Sequence, residues 1–313
     1  MDFSDVIQKT RRRLMSGARE QTTQLTENYT AGGETLTVAA SALTTQSGAF
    51  SGAIQPGTIV GIDLEMFLVQ AVTTTGQVTV VPGYEGSSEA DHEAGAIVYI
   101  NPRFSLFDIG VAINDDLLDL SSTTNGLGQI SYVDQTYNPT YMGYDLGGGV
   151  PAAFDPVSSR ILEVSYQIAP PVRTYPLIRK GMWRVIRNAN QPSVFPSGNG
   201  IVLYRDGYPG LPVHVQFLAP FSPLVNLTDN LTTVAGLSPT MYDLPDLGAA
   251  IKLMQPREVK RNFYEAQPDP RKAVEIPPQA VANSSAKLEQ QRIARINAES
   301  DRIMTAYPMA EAW

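Results

Sequence analysis

Apolar residues recur with helical spacing in four segments that lie far apart along the chain. In DFSDVIQKTRRRLMSG, Phe3, Val6, Ile7, Thr10 and Leu14 fall near i, i+3, i+4, i+7 and i+11, one face of an amphipathic helix. Arg11, Arg12 and Arg13 occupy its last turns, where cations suit the helix dipole, and Gly17 can terminate it. In SLFDIGVAINDDLLDLSS, Ser105 and Asp108 give a capping-box-like start, and Leu106, Ile109, Ile113, Leu117 and Leu120 line one side. DLPDLGAAIKLMQPREVKRNF has Asp243 as its cap, Pro245 in the first turn and Leu247, Ile251 and Met254 on one face. A kink or restart is expected at Pro256. The fourth segment, from about Asn283 to Tyr307, carries Ile293, Ile296, Ser300, Ile303 and Tyr307 at intervals of 3, 4, 3 and 4 residues. That is a narrow seam on an otherwise polar helix, with Arg295–Glu299 and Glu299–Arg302 as surface pairs. Such a stripe needs a partner, either another helix of the chain or a neighbouring subunit.

Between the helices the period changes. From Tyr29 to Asn101, ETLTVAA, GTIVGIDLEMFLVQAV and GQVTVVPG read as short strands punctuated by Gly, Ser and Thr turns. From Gln129 to about Val234 the same pattern returns in QISYVDQTY, RILEVSYQI, GMWRVIRNA, GIVLYRDG and PVHVQFL. Regular short strands of this kind predict small barrels or sandwiches. VEIPPQAVANSSA, before the last helix, reads as an extended linker.

Composition narrows the function classes. A chain of 313 residues is too long for one compact core and suits two or three units. No apolar run of about 18 residues is present, so no transmembrane helix and no membrane partner are expected. MDFSDV lacks an apolar signal core, and there are no cysteines, which suits assembly in a reducing cytoplasm. Between Glu20 and Val172, two basic residues face seventeen acidic ones, a local net of −15 within a total of −8. An acidic body of this kind disfavours binding to a nucleic-acid duplex, which needs clustered Lys and Arg. It suits a surface past which DNA slides without sticking, although acidic surfaces also simply keep proteins soluble.

Candidate chemistry is sparse. PGYEGSSEADHEAGAIVYI, from Pro82 to Ile100, places Glu85, Glu89, Asp91 and Glu93 around His92. Neighbours in an extended segment face opposite ways, so Asp91, His92 and Glu93 do not converge on one metal ion. The Gly, Ser and Ala around them predict a solvated hairpin tip, with AGAIVYI pairing with QVTVV and His92 bonding a loop backbone. Asp115, Asp116 and Asp119 could be acid–base groups, but a solvated helix face is the expectation. His214, in PVHVQFL, reads as a structural strand histidine. Tyr132, Tyr137, Tyr141 and Tyr144 suit packing on a β surface or subunit interface better than sugar stacking. The glycines of Gly126–Gly128 and Leu146–Gly149 lack the strand–turn–helix context of a phosphate loop. No catalytic, cofactor or metal site is expected.

GTIVGIDLEMFLVQAV, TVVPGYEGSSEADHEAGAIVYINPRFS and then AINDDLLDLSS together resemble the virion neck proteins of tailed bacteriophages, the head-to-tail adaptors. In that family a β module carries a Gly-x-x-Gly-Thr/Ser…Ala-x-His-x-x-Gly-Ala-x-Val hairpin. Here it is met by Gly83, Gly86, Ser87, Ala90, His92, Gly95, Ala96 and Val98. The later DLGAAIKLMQPREVKR and the C-terminal helix ending AYP fit as well. Val81–Pro82 departs from the family, where an Arg-containing strand end is expected.

The resemblance implies an α+β fold with a helical adaptor core of about four helices distant in sequence and two inserted small β barrel or sandwich modules. Its boundaries would be 1–22 for the first core helix, 23–102 for β module 1, 103–122 for the second helix and 123–242 for β module 2. Residues 243–313 would hold the third helix, the linker and a long C-terminal helix docking the portal. It implies a virion structural protein at the head–tail junction, not an enzyme, in a homo-oligomer ring of usually twelve copies. The portal protein would sit above, a neck or tail protein below, and DNA would pass through the lumen without specific binding. The residues expected at the portal are Arg292, Arg295, Ile296, Ile303, Tyr307 and the aromatic anchor Trp313. The alternatives are a tail or baseplate structural protein, whose hairpins are similar, and a carbohydrate-binding module or glycosidase using Tyr-rich β surfaces and paired carboxylates.

Overall fold

The four amphipathic segments fold as helices in the computed structural model: α1 (Phe3–Met15), α2 (Leu106–Leu120), α3 (Leu244–Tyr264) and α4 (Ala280–Ala306). The structure describes residues 1–15, 20–39, 53–73, 77–136, 143–166, 177–204, 212–264 and 280–307. Ser105 caps α2 as its sequence suggests, its Oγ accepting the Asp108 N–H at 2.9 Å. α3 runs without a break through Pro256, contrary to the expected restart. Its first half is anchored by buried Leu247, Ala249, Ala250 and Ile251, and a helix so anchored absorbs the one backbone hydrogen bond that proline removes. α4 begins at Ala280, so Ala280–Ala282 are helical rather than linker. The expected helix stop at Gly17 and the rest of the linker lie outside the described residues.

The helices converge on one core. Phe3, Val6 and Ile7 of α1 meet Ile109, Ile113 and Leu117 of α2, with Leu244 and Ala249 of α3 and Ile296 and Ile303 of α4. Phe221, Leu224, Leu231, Leu237 and Met241 join the same cluster, so 220–242 packs with the helices rather than with the second β module. Its loop holds the chain's start, with Phe3 N–H on Asp229 O at 2.8 Å and Leu231 N–H on Met1 O at 3.1 Å.

Between α1 and α2 lies a six-stranded antiparallel sheet of β1 (Gln21–Gln24), β2 (Thr35–Thr37), β3 (Ile59–Ile62), β4 (Glu65–Val72), β5 (Gln77–Val81) and β6 (Ile97–Ile100). The order is β1-β6-β3-β4-β5-β2. Just past the two edge strands Leu25 pairs with Val38, and Thr26 N–H reaches Thr37 O at 2.8 Å, closing the sheet into a small barrel. Alternate residues fill it, among them Leu36, Val60, Ile62, Phe67, Val78 and Val98. The expected pairing of AGAIVYI with QVTVV is not formed. β6 pairs with β1 and β3, setting Val98 opposite Ile62 and Ile100 opposite Val60, so the inward apolar residues of two strands coincide.

The second module is two three-stranded antiparallel sheets on one core. One has the order β7-β12-β9, from Gln129–Thr136, Pro212–Ala219 and Arg160–Tyr166; the other is β10-β11-β8, from Trp183–Ile186, Gly200–Leu203 and Gly143–Asp145. A bulge at Gln216/Phe217 shifts the β12–β9 register. Ile161 and Phe217 therefore face the sandwich core while Leu162 and Leu218 enter the helical core. Through this strand end the module is seated on the helices.

Candidate functional site

On α4 the buried stripe is rotated from the one the sequence suggests. Ile296 and Ile303 are 4% and 6% exposed and belong to the helical core, whereas Ile293 is 49% exposed. Glu299 takes a place on the stripe at 5% exposure. It accepts from Arg302 Nε at 2.7 Å, Arg295 at 3.4 Å and the Thr240 hydroxyl at 3.2 Å. The Arg295–Glu299 and Glu299–Arg302 pairs thus form, but around a buried carboxylate. Arg295 also binds Asp243 at 2.9 Å, and its Nη2 donates to Thr240 O at 2.7 Å. Tyr307 is half-buried beside the core, and burial, followed by the charge of Glu163, raises its hydroxyl pKa.

The residues expected at the portal are therefore engaged within the chain. The seam's partner is the chain's own helices, and a partner protein could reach Ile296 or Ile303 only by displacing α4. Trp313 lies outside the described residues.

Arg292 fastens α4 to α2. One guanidinium nitrogen reaches Asp116 Oδ1 at 2.8 Å and Asp119 Oδ2 at 2.6 Å. Asp116 is 1% exposed, which corrects the solvated helix face expected of the aspartates; Asp115 and Asp119 alone face solvent. Burial pushes Asp116 up to about 7, against the opposing pull of Arg292 and Lys252. Asp116 Oδ2 and Arg292 Nε are buried without a hydrogen-bond partner. Asp116 also lies against α3 at Gly248, where any Cβ would collide with its carboxylate. The INDDL and DLGAAIKL segments thus fit each other through one residue pair. Asp116 stands seven positions after Ile109 and three after Ile113, so the helical period already placed it on the buried face. A second buried carboxylate, Asp246 of α3, receives Lys9 at 3.2 Å and Arg13 at 2.7 Å from α1.

His92 is also buried, at 4% exposure, which corrects the solvated tip for the histidine, while Glu85, Glu89, Asp91 and Glu93 face solvent. Its Nε2 lies 2.9 Å from Glu65 Oε2 and its Nδ1 3.2 Å from Asp63 Oδ2. Both ring nitrogens face carboxylates, and only the imidazolium donates from both. Burial alone would lower its pKa, but the hydrogen bonds and charges of Asp63 and Glu65 prevail and raise it to about 9. Tyr29 stacks on the ring with centroids 5.9 Å apart and exchanges both backbone hydrogen bonds with His92. Burial first, then the charges of Glu65 and Glu89, push the Tyr29 hydroxyl up to about 12. Glu65 accepts the Ala90 N–H at 2.9 Å, and Asp91 the Ala31 N–H at 2.8 Å. The arrangement is a clasp that pins the long loop before β6 to the β3–β4 turn and to the segment after β1. The signal that could have found it is Asp63 and Glu65, the two carboxylates inside an otherwise apolar run.

Above this clasp lies a cleft of about 490 Å³ between the barrel, α2 and the 224–227 loop, with Leu64, Phe107, Val111 and Val225 on its apolar side and Asp63, Glu89 and Asp91 opposite. Asn114 holds that loop through both backbone groups of Leu224, at 2.8 and 2.9 Å. Elsewhere His214 pairs with Asp134 at 2.5 Å beside the half-exposed Tyr132 ring, and Tyr144 is in the sandwich core. Tyr137 and Tyr141 lie outside the described residues. Gly149 serves close packing, since a Cβ there would stand 2.5 Å from the Phe217 ring and from Ala152 O. Among the described residues no group of three or more His, Asp or Glu is arranged to hold a metal ion, and no helix is long and apolar enough to cross a membrane. Comparison with protein-family models and with curated proteins gives no match.

Proposed function

We propose that the chain is a structural protein of the tailed-phage neck, an adaptor subunit that joins the portal to the tail around a channel for DNA. The observation that carries this reading is the convergence of four helices, drawn from residues 3 to 306, on one core with a closed barrel and a sandwich inserted between them. That order matches the ordered motifs on which the resemblance rests. The buried charged groups support a mechanical role: Asp116, Asp246, Glu65 and His92 are each engaged in ion pairs that fasten one element to another, and Glu299 ties α4 to the segment before α3 by accepting from the Thr240 hydroxyl. None is left as a free base beside an open cavity. In this role the α4 arginines set the helix in place, and the tail after Tyr307, ending at Trp313, reaches the portal.

Mixing the purified chain with its cognate portal and imaging by electron microscopy should show a ring stacked on the portal. Removing residues 308–313 should abolish that docking while the helical core stays folded. A full-length chain that ignores the portal would refute the reading, and three- or sixfold particles on the tail would favour a tail or baseplate component.

A further inference from the structure

The chain's surface carries an acidic patch and a basic patch whose chemistry is complementary. The cleft beside α2 is acidic: Asp63, Glu65, Glu89 and Asp91 line it against one cation, the His92 imidazolium between Asp63 and Glu65, and among the described residues no lysine or arginine lines it. Glu89 and Asp91 are exposed, as are Val111 at 44% and Val225 at 69% on the apolar side. Its walls are fixed in advance. Asn114 pins the 224–227 loop, Asp229 Oδ2 accepts both the Val225 and Asn226 N–H groups at 2.8 Å, and the His92 clasp holds the opposite side. A preformed site loses little conformational freedom on binding.

The sandwich carries the opposite sign. Residues 177–204 contain Arg179, Lys180, Arg184 and Arg187 and no aspartate or glutamate. Arg179 and Arg184 are exposed. Leu177 is exposed at 47% just before them, and Tyr204, whose N–H bonds Met182 O, is exposed at 58% beside them. Apolar side chains flanked by arginines match an apolar wall flanked by carboxylates.

We propose that copies of this chain associate head to tail, the basic segment from Leu177 to Arg184 of one copy seating in the acidic cleft of the next. The two surfaces are different patches of one molecule, so the contact is heterologous and propagates from copy to copy. It names the subunit contact for the self-association in the neck reading, yet it is tested on the purified chain without a portal. Portal docking can fail while this contact holds, and a ring can form through other surfaces while this contact fails.

The test is charge exchange, read by sedimentation velocity on the full chain in low and high salt. Wild-type protein should self-associate, with the association weakening at least tenfold between 50 and 500 mM NaCl, since the paired surfaces are charged and solvent-accessible. Glu89→Lys with Val111→Lys in the cleft, or Arg179→Glu with Arg184→Glu on the sandwich, should each weaken association tenfold or more. Mixing the two variants should restore it, because each cleft then meets a segment of opposite sign. Restoration also shows that both variants fold. Wild-type protein that stays monomeric, variants that associate as wild type does, or a mixture that fails to recover would overturn the proposal. So would arginine substitutions that abolish binding to a single-stranded oligonucleotide and leave self-association unchanged.

Discussion

Replacing His92 by glutamine removes a charge from between two carboxylates while nearly keeping the volume of the side chain. Glu65, whose side chain is wholly buried, would keep its Ala90 N–H bond but lose its charged partner His92. Breaking one side of a buried pair costs about 3–5 kcal/mol, and the lower figure applies because Asp63 is half-exposed. The titration gives an independent value. A histidine raised from 6.5 to about 9 contributes about 3 kcal/mol at roughly 1.4 kcal/mol per unit. Because the folded value is the higher one, that stability is fully present below pH 6.5 and is lost as pH rises through 9; roughly 2 kcal/mol of it disappears between pH 7.5 and 10. The assay is hydrogen exchange at the barrel amides of Val60, Phe67 and Val98, read against Val213 and Val215 of the sandwich. At neutral pH the substitution should lower barrel protection by about a hundredfold, since 1.4 kcal/mol corresponds to a factor of ten. It should also erase the alkaline loss that the wild type shows, leaving the sandwich amides unchanged. Barrel protection within threefold of wild type would refute the clasp.

Two further substitutions probe the helices. Arg292→Met should cost about 3 kcal/mol by leaving buried Asp116 without its ion-pair partner, and limited proteolysis should then release α4 first; an unchanged cleavage pattern would contradict the fastening role. Asp116 itself titrates with the opposite consequence to an ordinary salt-bridged carboxylate. With its folded pKa raised to about 7, its contribution is complete below about 3.8 and is lost as pH rises through 7, so Asp116→Asn should flatten the stability profile between pH 5 and 7.5. Gly248→Ala raises helix propensity by about 1 kcal/mol, yet the Cβ meets the Asp116 carboxylate. A thermal melt should therefore show net destabilisation, and an increase in Tm would disprove the α2–α3 contact.

The candidate site was legible in part. Ser105, the α2 stripe and the existence of α4 follow from period and capping chemistry, which act within one or two turns. His92 was not legible, because its partners Asp63 and Glu65 stand 29 and 27 positions upstream and its immediate neighbours Asp91 and Glu93 carry the signature of a solvated loop. Nor was the α4 stripe, since a spacing of 3, 4, 3, 4 allows two adjacent faces. Arg292 decided between them by finding the buried Asp116 on α2.

The sequence by itself determined the four helices, most of the strands, the approximate place of the two β insertions and how charge divides along the chain. These are consequences of local period, turn residues and composition. β1 at Gln21–Gln24 and the packing of 220–242 with the helices lay outside its reach. Only the tertiary structure decided that β6 closes against β1 and β3, that Asp116 and His92 are interior, and that α4 spends its apolar seam on its own chain. Each of those depends on which distant groups meet, and burying a charge is tolerated only where an opposite charge, supplied from elsewhere in the chain, arrives at the same place.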